Sequence, residues 1–155
     1  MMRYPLVHFP GSPYADLGLP SGTLWKKSNE PAMLSSPDAI KAFGRALPTV
    51  QQFNELRDCC RWSWDSTRHG YSVTGPNGTS IFLPATGTRE IRRCTTDSHG
   101  IHARNKKARY AARTRETYKM GGTLQFNTFD VRPAWFNYSH AASSVRLVRQ
   151  PTYPG

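Results

Sequence analysis

The sequence predicts an α+β fold, with one or two helices in the first half and several antiparallel strands after them. Three observations lead to this prediction. A helix with a clear N-terminal cap begins at Thr49. Short runs of alternating apolar and polar residues follow, separated by turn residues. The 155 residues also include 12 Gly and 12 Pro, which favours many short elements joined by turns. The length fits one domain with one hydrophobic core.

The helices are predicted from their start signals. Ser36 is expected to cap a short helix, with Pro37 at the first helical position and the end near Phe43. The spacing of Thr49 and Gln52 matches a capping box for the second helix. Apolar residues then recur at helical intervals, at Val50, Phe53, Leu56 and Cys60.

The strands are predicted from alternation and from turn residues. Trp62 and Trp64 alternate as in a strand, and so do Tyr71 and Val73. The turn signal Gly75–Gly78 and the apolar run Thr79–Pro84 complete a hairpin. Further along, Gly121–Gly122 is expected to turn, and Thr123–Phe126 and Ser144–Arg149 to form strands. The predicted inward-facing frame is Leu24, Trp25, Phe53, Leu56, Trp62, Trp64, Ile81, Leu83, Leu124, Phe126, Val145 and Leu147.

Composition divides the chain into three parts. Residues 1–15 are rich in Pro and Gly and are predicted to form an irregular N-terminal arm. Residues 16–149 carry the periodic segments and are predicted to form the domain, and residues 150–155 a loose tail. No apolar run is long enough for a transmembrane helix, so no membrane insertion is expected. The N-terminus shows no secretory signal, so the location in the cell is undetermined.

The stretch Asn127–Ser144 has the composition of a binding surface. Large aromatic residues are mixed with short polar and charged ones, and only Val131 and Pro133 have the character of framework. A packed strand would show cleaner alternation. Aromatic side chains supply much contact area at low entropy cost, as they do in antibody paratopes. The stretch is therefore predicted to face a partner, with Trp135 as a possible hot spot.

A strong positive charge indicates anionic partners. The formal net charge is +11, and the segment from Arg89 to Lys119 contains ten Lys or Arg residues and three Asp or Glu residues. This field would attract nucleic acid, acidic glycans, anionic membrane surfaces or an acidic protein. Aromatic residues are sparse in this block, whereas proteins that stack bases usually carry more. A solvated loop face, a ligand contact and a nucleic-acid site all remain open. The basic residues concerned are Arg104, Lys106, Lys107, Arg109, Arg113, Arg115 and Lys119.

No pattern of catalytic or metal-ligating residues stands out. The three cysteines, Cys59, Cys60 and Cys94, do not suggest a disulfide framework. A metal site built from Cys94, Asp97, His99 and His102 has no second pair of ligands with the usual spacing. No Ser-His-Asp or paired-carboxylate group is apparent. We therefore predict no enzymatic activity, no cofactor and no bound metal.

Six motifs occur in an order that resembles a known family. They are Asp16–Trp25, Leu47–Leu56, Cys60–Trp64, Gly70–Gly75, Asn77–Ala85 and Ser144–Val148. Together they resemble the Fibrobacter succinogenes major paralogous domain, a C-type-lectin-like domain common in Bacteroidetes and their phages. The resemblance implies a C-type lectin fold, with two helices flanking a twisted antiparallel sheet and a ligand face on the C-terminal strands and loops. The aromatic-Trp-Ser-Ser-Thr motif expected after Gly100 is replaced by Ile101–Asn105.

Some members of this family are targets of diversity-generating retroelements, which mutate adenines in a C-terminal variable region. Randomising both adenines of an AAC codon cannot produce Lys, Glu, Gln, Met or Trp. Across Asn127–Ser144 only Trp135 lies outside the permitted set, and Ala108–Thr114 also falls within it. This composition is consistent with a diversified segment, although the set is broad. The family also occurs in surface lipoproteins, adhesins and phage receptor-binding proteins, so the resemblance implies a cell-surface or virion location.

The combined prediction is a non-enzymatic domain that displays a variable surface to a protein or glycan ligand on another cell. Two alternatives are kept: a basic nucleic-acid-binding module at Arg104–Lys119, and a structural adhesin or virion subunit in which Phe129–Tyr138 forms an oligomer contact. The predicted ligand-binding residues are His102, Arg104, Asn105, Phe129, Asp130, Arg132, Trp135, Phe136, Asn137, Tyr138 and His140.

Overall fold

The computed structural model describes residues 12–87, 104–113, 120–138 and 142–150, and at 120–122 and 133–138 it describes the backbone alone. The described residues form a mixed α+β structure with two α-helices and several small antiparallel sheets, which confirms the predicted class. In chain order the elements are β1 (Tyr14–Asp16), β2 (Leu24–Lys26), β3 (Leu34–Ser35), α1 (Ser36–Phe43), a 3-10 helix (Gly44–Ala46), α2 (Val50–Cys59), β4 (Arg61–Asp65), β5 (Gly70–Thr74), β6 (Ser80–Pro84), β7 (Lys107–Ala111), β8 (Met120–Asn127), β9 (Asp130–Tyr138), β10 (Ala142–Ser143) and β11 (Val148–Arg149).

Helix α2 begins with the predicted capping box. The Gln52 backbone N–H donates to Thr49 Oγ1 at 3.1 Å, and the Thr49 N–H donates to Gln52 Oε1 at 2.8 Å. Two unpaired donors of the first turn are thereby satisfied. The apolar stripe buries Phe53 and Leu56 completely.

Helix α1 is present, but its predicted cap is wrong by one residue. Ser35 is extended, and its Oγ accepts a hydrogen bond from the Asp38 N–H at 3.3 Å. Ser36 is therefore the first helical residue, and it is buried. Because both positions are serine, the sequence pattern could not separate the cap from its neighbour.

Strands β4, β5 and β6 form an antiparallel meander, which contains the predicted strands and the predicted hairpin. Trp62 pairs with Val73, and Val73 pairs with Ile81. The turn after β5 is closed by a hydrogen bond from the Gly75 N–H to the Thr79 carbonyl at 2.9 Å. The Gly78 backbone has φ of +88°, which glycine adopts without strain.

The two ends of the described chain meet in one sheet of order β1–β2–β11. Trp25 of β2 pairs with Ala15 on one side and with Val148 on the other. The irregular arm predicted for residues 1–15 is therefore too long, because Tyr14 and Ala15 belong to β1; residues 1–11 lie outside the described residues. The predicted tail begins with the exposed Gln150, and its remaining residues also lie outside.

The strand predicted over Ser144–Arg149 is only partly correct. Val148 and Arg149 form β11, whereas residues 145–147 are irregular. Ser144 instead bridges to β7: its N–H donates to the Arg109 carbonyl, and its carbonyl accepts from the Ala111 N–H, both at 2.9 Å. Its side-chain oxygen also lies 2.6 Å from that of Thr86. The segment therefore leaves one sheet edge for another, and this interrupts the strand.

Strands β7, β8 and β9 form a second meander, and here two predictions are wrong. Gly121 and Gly122 do not turn; they lie in β8 and pair with Asn137 and Phe136. The stretch predicted to be too irregular for a strand forms β9, which pairs with β8 along its length. The register shifts between Thr123 and Leu124, opposite Ala134. A bulge of this kind breaks the two-residue alternation on which the prediction relied.

The core consists of two hydrophobic clusters. The larger cluster joins α2 to the inward faces of the β4–β5–β6 and β7–β8–β9 meanders. Tyr71 makes edge-on contacts with Trp62, Trp64 and Phe126, with centroids 5.1–5.4 Å apart. The smaller cluster lies under α1 and consists of Ala39, Leu47, Ala111, Val145 and Leu147. The predicted frame residues are all buried except Trp62 and Trp64, which are partly buried and pack against the larger cluster.

A buried arginine connects the two halves of the fold. Arg146 is 1% exposed, and it donates hydrogen bonds to Asn29 Oδ1 at 2.7 Å, to the Lys26 carbonyl at 3.0 Å and to the Phe82 carbonyl at 2.6 Å. Asn29 Nδ2 in turn donates to the hydroxyl of Tyr110, which donates to the Pro84 carbonyl. Burial lowers the pKa of Arg146, and it raises the pKa of Tyr110 to about 12. The network ties β2, β6 and β7 to the segment before β11.

Candidate functional site

The β7–β8–β9 meander has two chemically different faces. Leu124 and Phe126 point into the larger cluster, and their partner Val131 packs there as well. Cross-strand partners project from the same side of a sheet. Gln125, Asn127 and the residues paired with them therefore lie on the opposite face. Their partners are Lys107, Arg109, Asp130 and Arg132.

Only one half of this opposite face is covered. At the end near Ala111 and Thr123 both residues are fully buried, and Ala111 packs in the smaller cluster. The other end forms a groove of about 230 Å³ that is open to solvent. Its lining residues are Lys107, Gln125, Phe126, Asn127, Asp130 and Arg132. We call Lys107, Gln125, Asn127, Phe129, Asp130 and Arg132 the hairpin surface.

Phe129 lies at the tip of the β8–β9 hairpin. It is 85% exposed, and within the described part of the chain it is the large apolar side chain that solvent surrounds. Asn127 holds the turn, because its Oδ1 accepts a hydrogen bond from the Phe129 N–H at 3.1 Å. An exposed ring has no role in packing this domain, so it is available to a partner.

A charged pair flanks the exposed ring. Arg132 Nε donates to Asp130 Oδ2 at 2.5 Å, and the two side chains are 61% and 36% exposed. Exposed pairs of this kind contribute about 0–1 kcal/mol to stability. Burial, followed by the Asp130 carboxylate, raises the pKa of the Tyr71 hydroxyl. The surface thus combines an apolar tip with a fixed cation and anion.

The structure brings together three of the predicted site residues, Phe129, Asp130 and Arg132. The backbone of residues 135–138 lies further along β9, paired with Thr123 and residues 120–122. A strand rises about 3.3 Å per residue, so Tyr138 is roughly 25 Å from the hairpin turn. Exposed Arg104 and Asn105 precede β7 and line a separate groove. His102 and His140 lie outside the described residues.

The predicted basic block is not one continuous surface. Arg104, Lys106 and Lys107 are exposed, but Arg109 is 3% exposed and Arg113 is partly buried. Tyr110, one of the two tyrosines of the block, is fully buried and cannot stack on a base. Arg115, Lys119 and Tyr118 lie outside the described residues.

The Cys60 thiol is not activated. Cys59 and Cys60 are free and partly buried at the end of α2. Burial raises the pKa of Cys60 to about 11, with further contributions from Cys59 and Glu55. A thiol with a raised pKa stays protonated at neutral pH and is a poor nucleophile.

The described residues show neither a cluster of metal ligands nor a helix that could span a membrane. Among residues 12–87, 104–113, 120–138 and 142–150, no three His, Cys, Asp or Glu side chains converge as metal ligands. The candidate set Cys94, Asp97, His99 and His102 falls outside those ranges. No helix in the same ranges has the length and apolar character needed to cross a bilayer.

Sequence reasoning missed part of the hairpin surface. Gln125 belongs to it, yet it was assigned to neither the site nor the frame, and Asn127 was included only as the first residue of the predicted binding stretch. The signal was present in the predicted strand, because Leu124 and Phe126 facing inward place the alternate residues outward. The hairpin itself had no sequence signal, since Thr128 and Phe129 are not typical of a two-residue turn.

Comparisons of the chain with protein-family models, with curated proteins and with solved structures returned no match.

Proposed function

We propose that the chain is a non-enzymatic ligand-binding domain with a C-type-lectin-like fold, and that its hairpin surface recognises a protein or glycan on another cell. The observation that carries the proposal is the 85% exposure of Phe129 at the end of a sheet whose other end is locked in the core. Aromatic side chains and arginine are the residues most enriched at binding hot spots.

Several features of the fold support a lectin-like frame. Two helices accompany small antiparallel sheets, and the first and last strands pair with the same strand, β2. The ligand face of such a fold is expected on the C-terminal strands and loops. The hairpin surface lies there, between β8 and β9, and the larger cluster supports it from behind.

The two segments whose composition fits diversification, Ala108–Thr114 and Asn127–Ser144, differ in how far their described side chains are exposed to solvent. Ala108–Ala112 lies in the core, with every residue at most 3% exposed. In contrast, Thr128, Phe129 and Arg132 are exposed. Residues Ala142–Ser144 at the end of the predicted binding stretch are buried, so that end belongs to the frame. We infer that diversification by a retroelement would act on the hairpin and β9. A reverse-transcriptase gene beside a near-copy of the region encoding residues 100–149, differing mainly at adenines, would test this origin.

One observation also favours a structural subunit. An exposed aromatic ring at a hairpin tip can pack against a second copy of the chain as readily as against a foreign ligand. Light scattering distinguishes the two. A monomer excludes the structural role, whereas an oligomer that Phe129→Ser dissociates would replace the receptor proposal. The nucleic-acid alternative has less support, because Arg109 and Tyr110 are buried.

The binding experiment uses fluorescently labelled protein and a panel of bacterial cells, read by flow cytometry. The test variant is Phe129→Ser/Arg132→Ser, and the matched control is Arg149→Ser, which also removes an exposed arginine. The proposal expects wild type and control to label some of the cells and the double variant to lose at least tenfold in affinity, since hot-spot residues contribute about 2 kcal/mol or more. Equal labelling by all three proteins, or no labelling by any, would contradict it.

A further inference from the structure

A second groove lies apart from the hairpin surface and shares none of its residues. Its volume is about 430 Å³, within the roughly 300–1,000 Å³ of small-molecule sites. It is bounded by the segment after β2, the β4–β5 turn, the end of β6 and the residues before β7. The lining residues are Asn29, Glu30, Pro31, Met33, Arg68, His69, Pro84, Ala85, Thr86, Arg104, Asn105 and Ser144. We call this the arginine groove.

The backbone of the arginine groove is held in an unusual conformation. His69 and Asn105 have φ of 60° and 70°, and among the described residues they are the non-glycine positions with positive φ. Both line the groove, and both bind the same residue. The Ala85 N–H donates to the His69 carbonyl and the Asn105 N–H donates to the Ala85 carbonyl, each at 2.8 Å. Such conformations persist where the surrounding structure enforces them, and they cluster at ligand sites.

Two arginines line the groove, and the guanidinium of one of them stacks on Phe82, a residue outside the groove lining. The Arg68 guanidinium lies 3.8 Å from the Phe82 ring centroid. Asp65 Oδ1 accepts a hydrogen bond from the Arg68 N–H at 2.9 Å, which holds the turn that carries Arg68. Arg104 is exposed and also lines the groove. A stacked guanidinium loses less freedom on binding an oxyanion than a mobile one.

The acid in the groove is already neutralised. Glu30 lines it, but Lys26 Nζ lies 2.6 Å from Glu30 Oε2. The charge left facing a ligand is therefore that of Arg68 and Arg104, and arginine binds carboxylate and phosphate groups through paired N–H donors. Three further lining residues that are at least partly exposed, Pro31, Met33 and Pro84, offer an apolar surface.

From this combination we propose that the arginine groove binds a small organic anion, in which a carboxylate or phosphate engages Arg68 and Arg104 and an apolar body rests on the side chains of Pro31, Met33 and Pro84. The neutralised Glu30 removes the repulsion that such an anion would otherwise meet. This site is independent of the proposed role of the hairpin surface, because the two share no residue. The proposal for the arginine groove would therefore remain valid even if the hairpin surface bound no ligand.

The experiment titrates full-length protein with phenyl phosphate, benzoate and the neutral analogue benzamide, observed by backbone amide NMR. The proposal expects the two anions to shift the amides of His69, Ala85 and Asn105, and benzamide to bind at least tenfold more weakly. Phenyl phosphate and benzoate separate a phosphate preference from a carboxylate preference. No shift at these amides with either anion at 10 mM, or equal binding of benzamide, would overturn the proposal.

Charge variants test the role assigned to the arginines. Arg68→Gln and Arg104→Gln are each expected to weaken anion binding about tenfold, the value of one hydrogen bond to a charged group. Arg45→Gln removes an equal charge from an exposed site outside the groove and is expected to change affinity less than twofold. Met33→Glu, which puts a charge on the apolar surface, should abolish binding with both arginines present. Equal weakening by Arg45→Gln and the two groove variants would show only a general charge effect and refute the site.

Discussion

Replacement of Arg146 by Met is the most informative test of how the frame is held together. The side chain is 1% exposed and donates to three carbonyl-type oxygens, on Asn29, Lys26 and Phe82. A hydrogen bond from a charged donor is worth about 1.5–3 kcal/mol, so three bonds set an upper limit of roughly 9 kcal/mol. Met fills most of the volume and avoids the cost of burying a charge. We therefore expect a net loss of about 3–5 kcal/mol, because three buried acceptors lose their partner.

Urea unfolding followed by tryptophan fluorescence measures this loss. Arg149→Met is the matched control, since it makes the same substitution three residues along at an exposed position. The control should change the free energy of unfolding by less than about 0.5 kcal/mol. Arg146→Lys, which keeps the charge but not the planar donor geometry, should fall between the two. If Arg146→Met were as stable as the Arg149 control, the buried arginine would not be the link between the two halves.

Three other predictions follow from single contacts. Thr49→Ala should reduce the free energy of unfolding by about 1 kcal/mol by removing the cap of α2, whereas Thr67→Ala, on an exposed turn, should leave the urea midpoint nearly unchanged. The pKa of Tyr110 is raised from 10.0 to about 12 in the folded state, so the folded protein favours the neutral phenol. The stabilisation that this shift gives is fully present below pH 10 and is lost as the pH rises toward 12, by roughly 2–3 kcal/mol in all. In urea titrations, the free energy of unfolding of Tyr110→Phe should therefore fall less steeply with alkaline pH than that of the wild type. Cys60 has a pKa near 11, so at pH 8 its thiol should react with iodoacetamide far more slowly than the thiol of a small cysteine peptide. The rate is measured in a Cys59→Ser/Cys94→Ser background, where Cys60 is the remaining cysteine. A rate equal to that of the peptide would mean that the thiol is not shielded.

Local signals predicted the helices and the middle meander well. The capping box at Thr49 and Gln52 involves residues three apart, so the pattern that specifies it is contained in a short window. The same holds for the Gly75–Gly78 turn and the hairpin that it closes. Each of these elements depends on contacts between residues that are close in sequence.

Long-range contacts account for the errors. The predicted frame included Val145 and Leu147 but not Arg146, whereas carbonyls from distant segments accept hydrogen bonds from Arg146 and all three residues are buried. Gly121 and Gly122 have the composition of a turn, yet β9 pairs across them. A pattern read over a few neighbouring residues contains no information about which distant strand will pair with them.

The site was only partly predictable for the same reason. Composition identified Phe129, Asp130 and Arg132 as residues unsuited to a core, and the structure places them together at one hairpin. It could not show that Arg109 is buried or that Arg104 lines a different groove. Those outcomes depend on which elements cover each face of β7.

The central claim is that a fixed frame carries an exchangeable hairpin, and a pair of libraries displayed on yeast tests it most directly. One library places NNC codons at positions 128, 129, 130 and 132, and the other places them at 108, 110, 111 and 112, where the present residues also fit this codon set. Protease resistance of the displayed protein reports folding. We expect most hairpin variants to stay resistant and nearly all variants of the buried segment to be cleaved. Equal resistance of the two libraries, or widespread cleavage of the hairpin variants, would contradict the account.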